Sequence, residues 1–432
     1  MDKTIKKIKV VILAAIAFLV VYMMGVTIYY KIYLNKDNNK DNLHGTVSFI
    51  SNRTDKRSEI LQLIEEFNEI YPNIKVDLEL IGDAEDILQR KASVGELADV
   101  TLVPGSIADN ELANYFIPID DLGFKEEDIY DYYYGLGDDN KLYKLTTTIN
   151  FQCVIYNKEI FKEAGIVNTP NTIDEFYDVC EKLKEYGVNP VSINYKQPWI
   201  ISMWKDSIPR LLDIDLEESV TNGENNLIYD GGGIYKSLNF LRTLIINDYC
   251  EEDLMNSDWE QSKYNIKDGK SAMIIWNSGF VNQLQDIGMN IENIGVFPIP
   301  ESQQILFTGD YRYAISKTAK YPDAAKAFLK FLFEDDRYAE AVNILSPLKS
   351  NKDTKNLFTE LEKYDIPINI ESQVSEEETY DEKIISDLYY NNINKVKYND
   401  DFVQEYCISK NSNEVKELID NINSRWNDIM SK

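Results

Sequence analysis

Histidine is almost absent from the 432-residue sequence, in which His44 is the only one. This scarcity argues against Ser-His-Asp triads and His-ligated metal sites, because both need imidazole at the reacting centre. The sequence also lacks a G-x-S-x-G elbow, and its glycine run at 231–233 is not followed by the Lys and Ser or Thr of a phosphate loop. We therefore predict no catalytic residue, no metal and no cofactor.

Cysteine is also sparse, and no two cysteines form a C-x-x-C pair. Such spacing carries neither a metal signature nor a redox signature, and it leaves the disulfide status open. The four positions are Cys153, Cys180, Cys250 and Cys407.

Basic residues are outnumbered, with 45 Lys and Arg against 73 Asp and Glu, for a net charge of −28. So acidic a body argues against nucleic acid or an anionic lipid surface as partner. The abundant carboxylates leave a two-carboxylate glycosidase open on composition alone. However, pairs such as Asp120-Asp121 lie among turn or surface residues, which indicates solvated charge.

A long apolar run occurs at residues 10–30, which carry no charge. At ~1.5 Å per residue a helix of this length spans ~31 Å, about one bilayer core. Lysines precede the run, which predicts a transmembrane signal anchor with residues 1–9 in the cytoplasm, a stalk at 31–44 and an extracellular C-terminal domain. A cleaved signal peptide is the alternative, with Ala15 and Ala17 as small residues near the cut.

The body that follows is too long for one core and is suited to two lobes. Alternation of apolar and polar residues predicts strands at 45–50 and 74–80, and apolar residues at helical spacing predict a helix at 58–71. A second helix at 84–93 leads to an apolar strand at 100–103. This order predicts a β-α-β-α-β start with parallel strands.

The most informative stretch is 155–190. It predicts a strand, a short helix closed by Gly165 in the left-handed conformation, and a proline turn. A second helix should begin with Thr172 as N-cap and Glu175 as its capping-box partner, and should end at Gly187.

The letters of this stretch, "YNK", "FKEAG", "P-x-T-x-x-E-F" and "G-x-x-P", resemble the extracellular solute-binding proteins of ABC importers, family 1, of the maltose and oligosaccharide type. "GKSAM" at 269–273 resembles that family's "GKAAM" segment, and the likeness covers roughly residues 45–350. The family usually carries a lipobox cysteine near its N-terminus. This sequence has none there, so we do not expect a lipid anchor.

The resemblance implies an α/β fold of the two-lobed, periplasmic-binding-protein-like type II. Lobe 1 would comprise 45–149 with 306–345, and lobe 2 would comprise 150–305 with 346–432. Ligand would lie in the cleft between the lobes. The positions that match the family's cleft contacts predict these ligand-binding residues: Asn52, Arg53, Asn150, Gln197, Trp199, Trp276, Asp310 and Tyr311. The remaining tryptophans, Trp204, Trp259 and Trp426, are assigned to packing or to the surface.

The resemblance therefore implies a membrane-tethered binding protein, not an enzyme, that hands a carbohydrate, most simply an oligosaccharide, to the permease subunits of an ABC importer. One alternative is a sensory module that reports ligand to a membrane partner without import. A wall-associated glycosidase is a second alternative. Within the binding-protein class, a polyamine, a metal chelate or a peptide also stays open as the ligand.

Overall fold

The computed structural model describes Met23 and residues 42–82, 84–223 and 225–431, without the side chain of Tyr380. The predicted anchor at 10–30 lies outside the described residues apart from Met23. In the part of the chain that is described, no helix is both long enough and apolar enough to span a bilayer.

The chain divides into two compact units. Of the described residues, unit 1 comprises those up to Leu122, Gly137–Lys144 and Tyr313–Val342, and unit 2 comprises Gly123–Leu136, Leu145–Arg312 and those from Asn343 onward. The lobe bounds that the resemblance implies, with crossings at 149/150, 305/306 and 345/346, stay a prediction. The compact units change after Leu122, Leu136, Lys144, Arg312 and Val342.

The strands of the described residues, numbered in chain order, are β1 Gly45–Ser51, β2 Ile74–Leu80, β3 Val100–Leu102, β4 Lys144–Thr146, β5 Ile149–Asn157, β6 Asn189–Ser192, β7 Ser271–Asn277, β8 Ile294–Pro298, β9 Ile305–Gly309, β10 Arg312–Ile315 and β11 Ile368–Ile370. The α-helices of unit 1 are Arg57–Ile70, Ala84–Val94, Leu112–Tyr115, Pro322–Phe333 and Arg337–Ala341. Those of unit 2 are Lys158–Glu163, Ile173–Tyr186, Pro198–Ser202, Ile208–Leu212, Leu216–Thr221, Gly233–Ile246, Trp259–Lys267, Phe280–Asp286, Lys352–Leu361, Glu371–Glu377, Tyr380–Ile393, Asp400–Ile408 and Ser412–Met430.

The first sheet has the order β2-β1-β3-β10-β4, and its strands β1, β2 and β3 lie in unit 1. β1 pairs in parallel with both β2 and β3, and β10 pairs antiparallel with β3. The predicted β-α-β-α-β start is thus confirmed. The core of unit 1 contains packed aromatic rings. Phe328 contacts Phe49 and Phe67, with ring centroids 5.0 Å apart in each pair.

Unit 2 contains the sheet β11-β9-β5-β7-β6, with β8 also paired to β5. β5 is buried along most of its length and pairs antiparallel with β7, β8 and β9. β6 pairs in parallel with β7, and the chain leaves β6 toward the helix Pro198–Ser202. This pairing brings the ends of β6 and β7 close to one another.

The helix signals of the 155–190 stretch are confirmed. Thr172 accepts a hydrogen bond from the Glu175 backbone N–H, and the Glu175 carboxylate accepts from the Thr172 N–H, which completes the capping box. Gly187 ends that helix with a φ of 92°, and Gly165 follows the preceding helix with a φ of 71°. Glycine fits both positions because it has no Cβ to clash in the left-handed region.

Candidate functional site

Three tryptophans of unit 2 pack against one another. Trp199 lies in the helix Pro198–Ser202, Trp259 begins the helix Trp259–Lys267, and Trp276 lies near the end of β7. The Trp199 ring centroid is 4.6 Å from that of Trp259 and 4.8 Å from that of Trp276, both in edge-to-face geometry. The Trp259 and Trp276 rings are 5.8 Å apart. We call these three residues the tryptophan cluster.

The members of the tryptophan cluster differ in exposure. Trp199 is 39% exposed, whereas Trp259 and Trp276 are partly buried against the apolar core. Phe280 supports the cluster from inside, with its ring 5.1 Å from that of Trp259. The cluster therefore presents a large, rigidly backed aromatic surface at Trp199, which is suited to contact with the apolar face of a ligand.

Gln197 directly precedes the helix that carries Trp199 and is its N-cap residue. The Gln197 side chain makes no capping hydrogen bond, but its backbone N–H donates to the Asn194 carbonyl at 2.9 Å. Pro198 occupies the first helical position, where the fixed φ of proline matches the helical backbone. The position of Gln197 beside Trp199 is thus set by the backbone of the turn.

Asn150 is 7% exposed and lies in β5. Its Oδ1 accepts a hydrogen bond from Ser278 Oγ at 3.2 Å, and Ser278 in turn donates its backbone N–H to the Phe151 carbonyl at 2.9 Å. A Cβ at Gly279 would approach Asn150 Oδ1 to 3.0 Å, so glycine keeps the space beside the amide open. The side chain of Asn150 is therefore anchored to the segment that follows Trp276.

Asp310 and Tyr311 lie between β9 and β10 and are tied by their backbones to the segment before β5. The Asp310 N–H donates to the Thr148 carbonyl at 3.1 Å, and the Tyr311 carbonyl accepts from the N–H of Thr147 at 2.8 Å. The Thr147 hydroxyl donates to the same Tyr311 carbonyl at 2.9 Å. These bonds fix the main chain at this position, and Asp310 itself is exposed.

A buried ion pair adjoins Asp310 and Tyr311. Arg312 Nη2 lies 2.6 Å from Asp131 Oδ2, and the Asp131 side chain is fully buried. Burial raises the pKa of Asp131, although the Arg312 charge acts in the opposite direction. A Cβ at Gly309 would collide with this carboxylate, so glycine is required there. Sequence reasoning missed this pair, because Asp131 and Arg312 come from distant segments.

Asn52 and Arg53 belong to unit 1, where they follow β1. Both are partly exposed. The Arg53 guanidinium donates to both oxygens of Asp55, with Nε–Oδ1 at 3.0 Å and Nη2–Oδ2 at 2.8 Å. Burial alone would raise the pKa of Asp55, but the hydrogen bonds and charge of Arg53 lower it overall. Arg53 is thus oriented by a bidentate pair.

Two of the predicted site residues, Trp199 and Trp276, are brought into contact with each other. Trp259 was assigned to packing or to the surface and is the additional member of the cluster. Asp258 caps the helix that begins at Trp259 by accepting the Gln261 N–H at 2.8 Å, which fixes where the helix begins but not which residues Trp259 contacts. Trp204 and Trp426 are buried, which agrees with packing, one of the two roles assigned to them, and not with a surface position.

The cysteine that contacts the tryptophan cluster is a buried thiol. Cys153 donates its thiol to the Trp276 carbonyl at 3.5 Å, and burial raises its pKa well above the ordinary range, so it stays a neutral thiol. Cys180, Cys250 and Cys407 are free thiols as well. Among residues 42–82, 84–223 and 225–431 no group of three His, Cys, Asp or Glu side chains could hold a metal ion.

Comparison with known proteins identifies the family. The model of the bacterial extracellular solute-binding proteins matches residues 51–339, which is more than half of the chain. The chain belongs to this family. The resemblance seen in the sequence is thereby confirmed, and the family is one of binding proteins rather than enzymes.

The curated relatives are distant. An uncharacterized ABC transporter extracellular-binding protein from Pyrococcus horikoshii is 26% identical over 307 residues, which is 67% of this chain and 66% of the relative. A multiple sugar-binding protein from Streptococcus mutans is 21% identical over 304 residues, or 66% of this chain and 70% of the relative. The chain thus matches about two thirds of the length of these relatives.

Solved structures show the same fold. A binding protein of an ABC transporter from Bifidobacterium animalis subsp. lactis, in complex with mannobiose, superposes with a TM-score of 0.73 at 22% identity. The superposition covers 91% of this chain and 96% of that one. The predicted α/β, type II binding-protein fold is confirmed by this likeness.

Proposed function

We propose that this protein is an extracellular substrate-binding protein that delivers a carbohydrate, most simply an oligosaccharide, to the permease of an ABC importer. The observation that carries the proposal is Trp199, an exposed indole backed by Trp259 and Trp276 in a chain of the solute-binding family. A pyranose ring has flat C–H faces, and an indole can cover such a face and exclude water from it. The sugar ligands named for two related proteins support this choice.

The polar candidates supply the hydrogen bonds that a sugar needs around its rim. In unit 2 these are the side chains of Asn150, Gln197, Asp310 and Tyr311, and in unit 1 they are those of Asn52 and Arg53. We assign binding roles to all of them together with Trp199 and Trp276. The cleft between lobes that the family resemblance implies remains a prediction.

A thermal-shift screen tests the proposed ligand class. We expect that mannobiose, mannotriose, raffinose or stachyose raises the melting temperature of the full chain. A ligand at a hundredfold its dissociation constant adds ~2.7 kcal/mol to the free energy of unfolding. Spermidine, a tripeptide and a metal chelate serve as comparison ligands. If one of these three raises the melting temperature and no saccharide does, the ligand belongs to that other class and not to the carbohydrates.

We also propose that residues 10–30 anchor the protein in the cell membrane, with the domain outside. The uncharged run and the preceding lysines support this topology. The full chain should then fractionate with membranes and keep its N-terminus. Recovery of a shorter protein that begins after Ala17 would show cleavage instead.

A further inference from the structure

The turn that leads from β6 to Trp199 is held by one carboxylate. Glu251 accepts the backbone N–H of Ile193 with Oε2 at 2.7 Å and that of Asn194 with Oε1 at 2.5 Å. Asn194 has a φ of 53°, in the left-handed region that non-glycine residues rarely adopt. The two hydrogen bonds offset the cost of that conformation, because they satisfy the N–H groups of Ile193 and Asn194.

Asn194 links this turn to the other helix of the tryptophan cluster. The Asn194 side chain is fully buried, and its Oδ1 accepts a hydrogen bond from Ser262 Oγ at 2.8 Å. Ser262 lies in the helix that begins at Trp259. The Asn194 carbonyl accepts the N–H of Gln197, the N-cap of the helix with Trp199. One residue therefore contacts both tryptophan-bearing helices.

The use of a carboxylate at this position has a cost. Burial raises the pKa of Glu251, while the hydrogen bonds from the turn act in the opposite direction. A glutamine of the same shape has only one acceptor oxygen, so it would leave one of the two N–H groups facing an amide NH₂ group. The two oxygens of the Glu251 carboxyl group match the two N–H groups of Ile193 and Asn194, one to each.

We propose that Glu251 and Asn194 are positioning residues for ligand binding, which fix the orientation of Trp199 relative to Trp259. This proposal rests on the proposed carbohydrate function. Neither side chain needs to touch the sugar, because Glu251 acts on the backbone of the turn and Asn194 acts through Ser262 and Gln197. An aromatic surface held in one orientation binds without first losing the freedom to reorient.

The first test needs no ligand. Indole rings this close couple their electronic transitions, so circular dichroism of the full chain reports the geometry of the tryptophan cluster. Glu251→Gln should weaken the coupled tryptophan signal, and Ser262→Ala should do so to a smaller extent. Glu252→Gln is the matched control, since Glu252 is an exposed neighbour of the same charge. In a Trp199→Phe background the effect of Glu251→Gln on this signal should largely disappear.

The second test uses mannotriose, or whichever saccharide gave the largest shift in the thermal screen. Glu251→Gln should weaken its affinity on the order of tenfold, the loss expected when the binding orientation of Trp199 is populated about a tenth of the time. A lower melting temperature with an unchanged tryptophan signal would reduce Glu251 to a structural role and overturn the proposal. If wild type binds no saccharide, the proposed function fails, and the circular dichroism still decides whether Glu251 positions Trp199. If Glu251→Gln does not fold, Ser262→Ala decides both tests for Asn194, and an unchanged tryptophan signal with unchanged affinity in that variant would overturn the positioning role.

Discussion

The candidate residues of the two units offer different chemistry. In unit 2 they centre on an exposed indole that two further indoles and a phenylalanine support. In unit 1 they are Asn52 and Arg53, and the guanidinium of Arg53 is fixed by the two hydrogen bonds that it donates to the neighbouring carboxylate of Asp55. In contact with a sugar, the tryptophan cluster would bury apolar area, and Asn52 and Arg53 would form directional hydrogen bonds.

This difference matches the two kinds of surface on a sugar. Apolar contact gives most of the affinity when a large ring is desolvated, whereas an exposed polar group gains little, because it exchanges water for ligand. We therefore expect changes in the tryptophan cluster to reduce affinity more than changes at Arg53. The orientation of each surface is set differently, by ring packing together with the hydrogen-bonded turn at Asn194 in unit 2, and by an ion pair in unit 1.

The largest expected effect separates packing from binding within unit 2. Trp204 is 1% exposed, and its ring lies 5.4 Å from that of Phe240. Trp204→Ala should lower the free energy of unfolding by ~3–5 kcal/mol, because it leaves a large cavity in the core. Denaturant unfolding measures this loss. A loss as small as that of Trp199→Ala would remove the distinction between the two tryptophans.

The next effect concerns affinity. Trp199→Ala should weaken saccharide binding by ~1–3 kcal/mol, roughly five- to 150-fold, as expected for a buried aromatic contact at a binding hot spot. The melting temperature without ligand should change much less than in Trp204→Ala, because Trp199 is partly exposed already. Calorimetric titration and a melting curve give both quantities. A large fall in melting temperature with unchanged affinity would take Trp199 out of the site.

A smaller effect is expected in unit 1. Arg53→Gln should weaken binding by about 0.5–1.5 kcal/mol, since it removes charged donors but leaves a polar side chain. Arg57→Gln is the matched control, because Arg57 is exposed at the start of the following helix. Titration with the same saccharide compares the two variants. A loss larger than that of Trp199→Ala would reverse the ranking of the two surfaces.

The smallest effect is in the pH dependence of stability, and its sign differs between the units. The pKa of Asp55 is lowered from its ordinary 3.8, so its contribution to stability is present above that pH and is lost on acidification through the lowered value. The pKa of Glu251 is raised from its ordinary 4.5, so its contribution is present below that pH and is lost as pH rises through the raised value.

Melting temperatures measured between about pH 3 and pH 7 report both contributions. The advantage of wild type over Asp55→Asn should grow as pH rises. The melting temperature of wild type relative to that of Glu251→Gln should fall as pH rises. Only these slopes are compared, because the lost hydrogen bonds add an offset that does not depend on pH. Parallel slopes would contradict the assignment.

Much of the fold could be predicted because its signals are local. The alternation at 74–80 corresponds to β2, Ile74–Leu80, and the helix start at Thr172 depends on a capping box that spans a few residues. The predicted helix at 58–71 differs from Arg57–Ile70 by one residue at each end. Such elements follow from side-chain periodicity and backbone capping alone.

The tryptophan cluster could be predicted only in part. Family position indicated Trp199 and Trp276, but the contact of Trp259 with both depends on how a helix packs against β7, which no local pattern records. The same holds for Glu251, whose acidic character suggests a solvated surface until its contacts with Ile193 and Asn194 are known. Contacts between distant segments decided both cases.

The most direct test of the central claim is a crystal structure of the full-length protein, or of its complex with detergent, bound to a saccharide that stabilises it. We predict that a sugar ring lies over the Trp199 indole, with carbon atoms of the two rings about 3.5–4.0 Å apart. A saccharide bound elsewhere, with Trp199 left in solvent, would contradict the account.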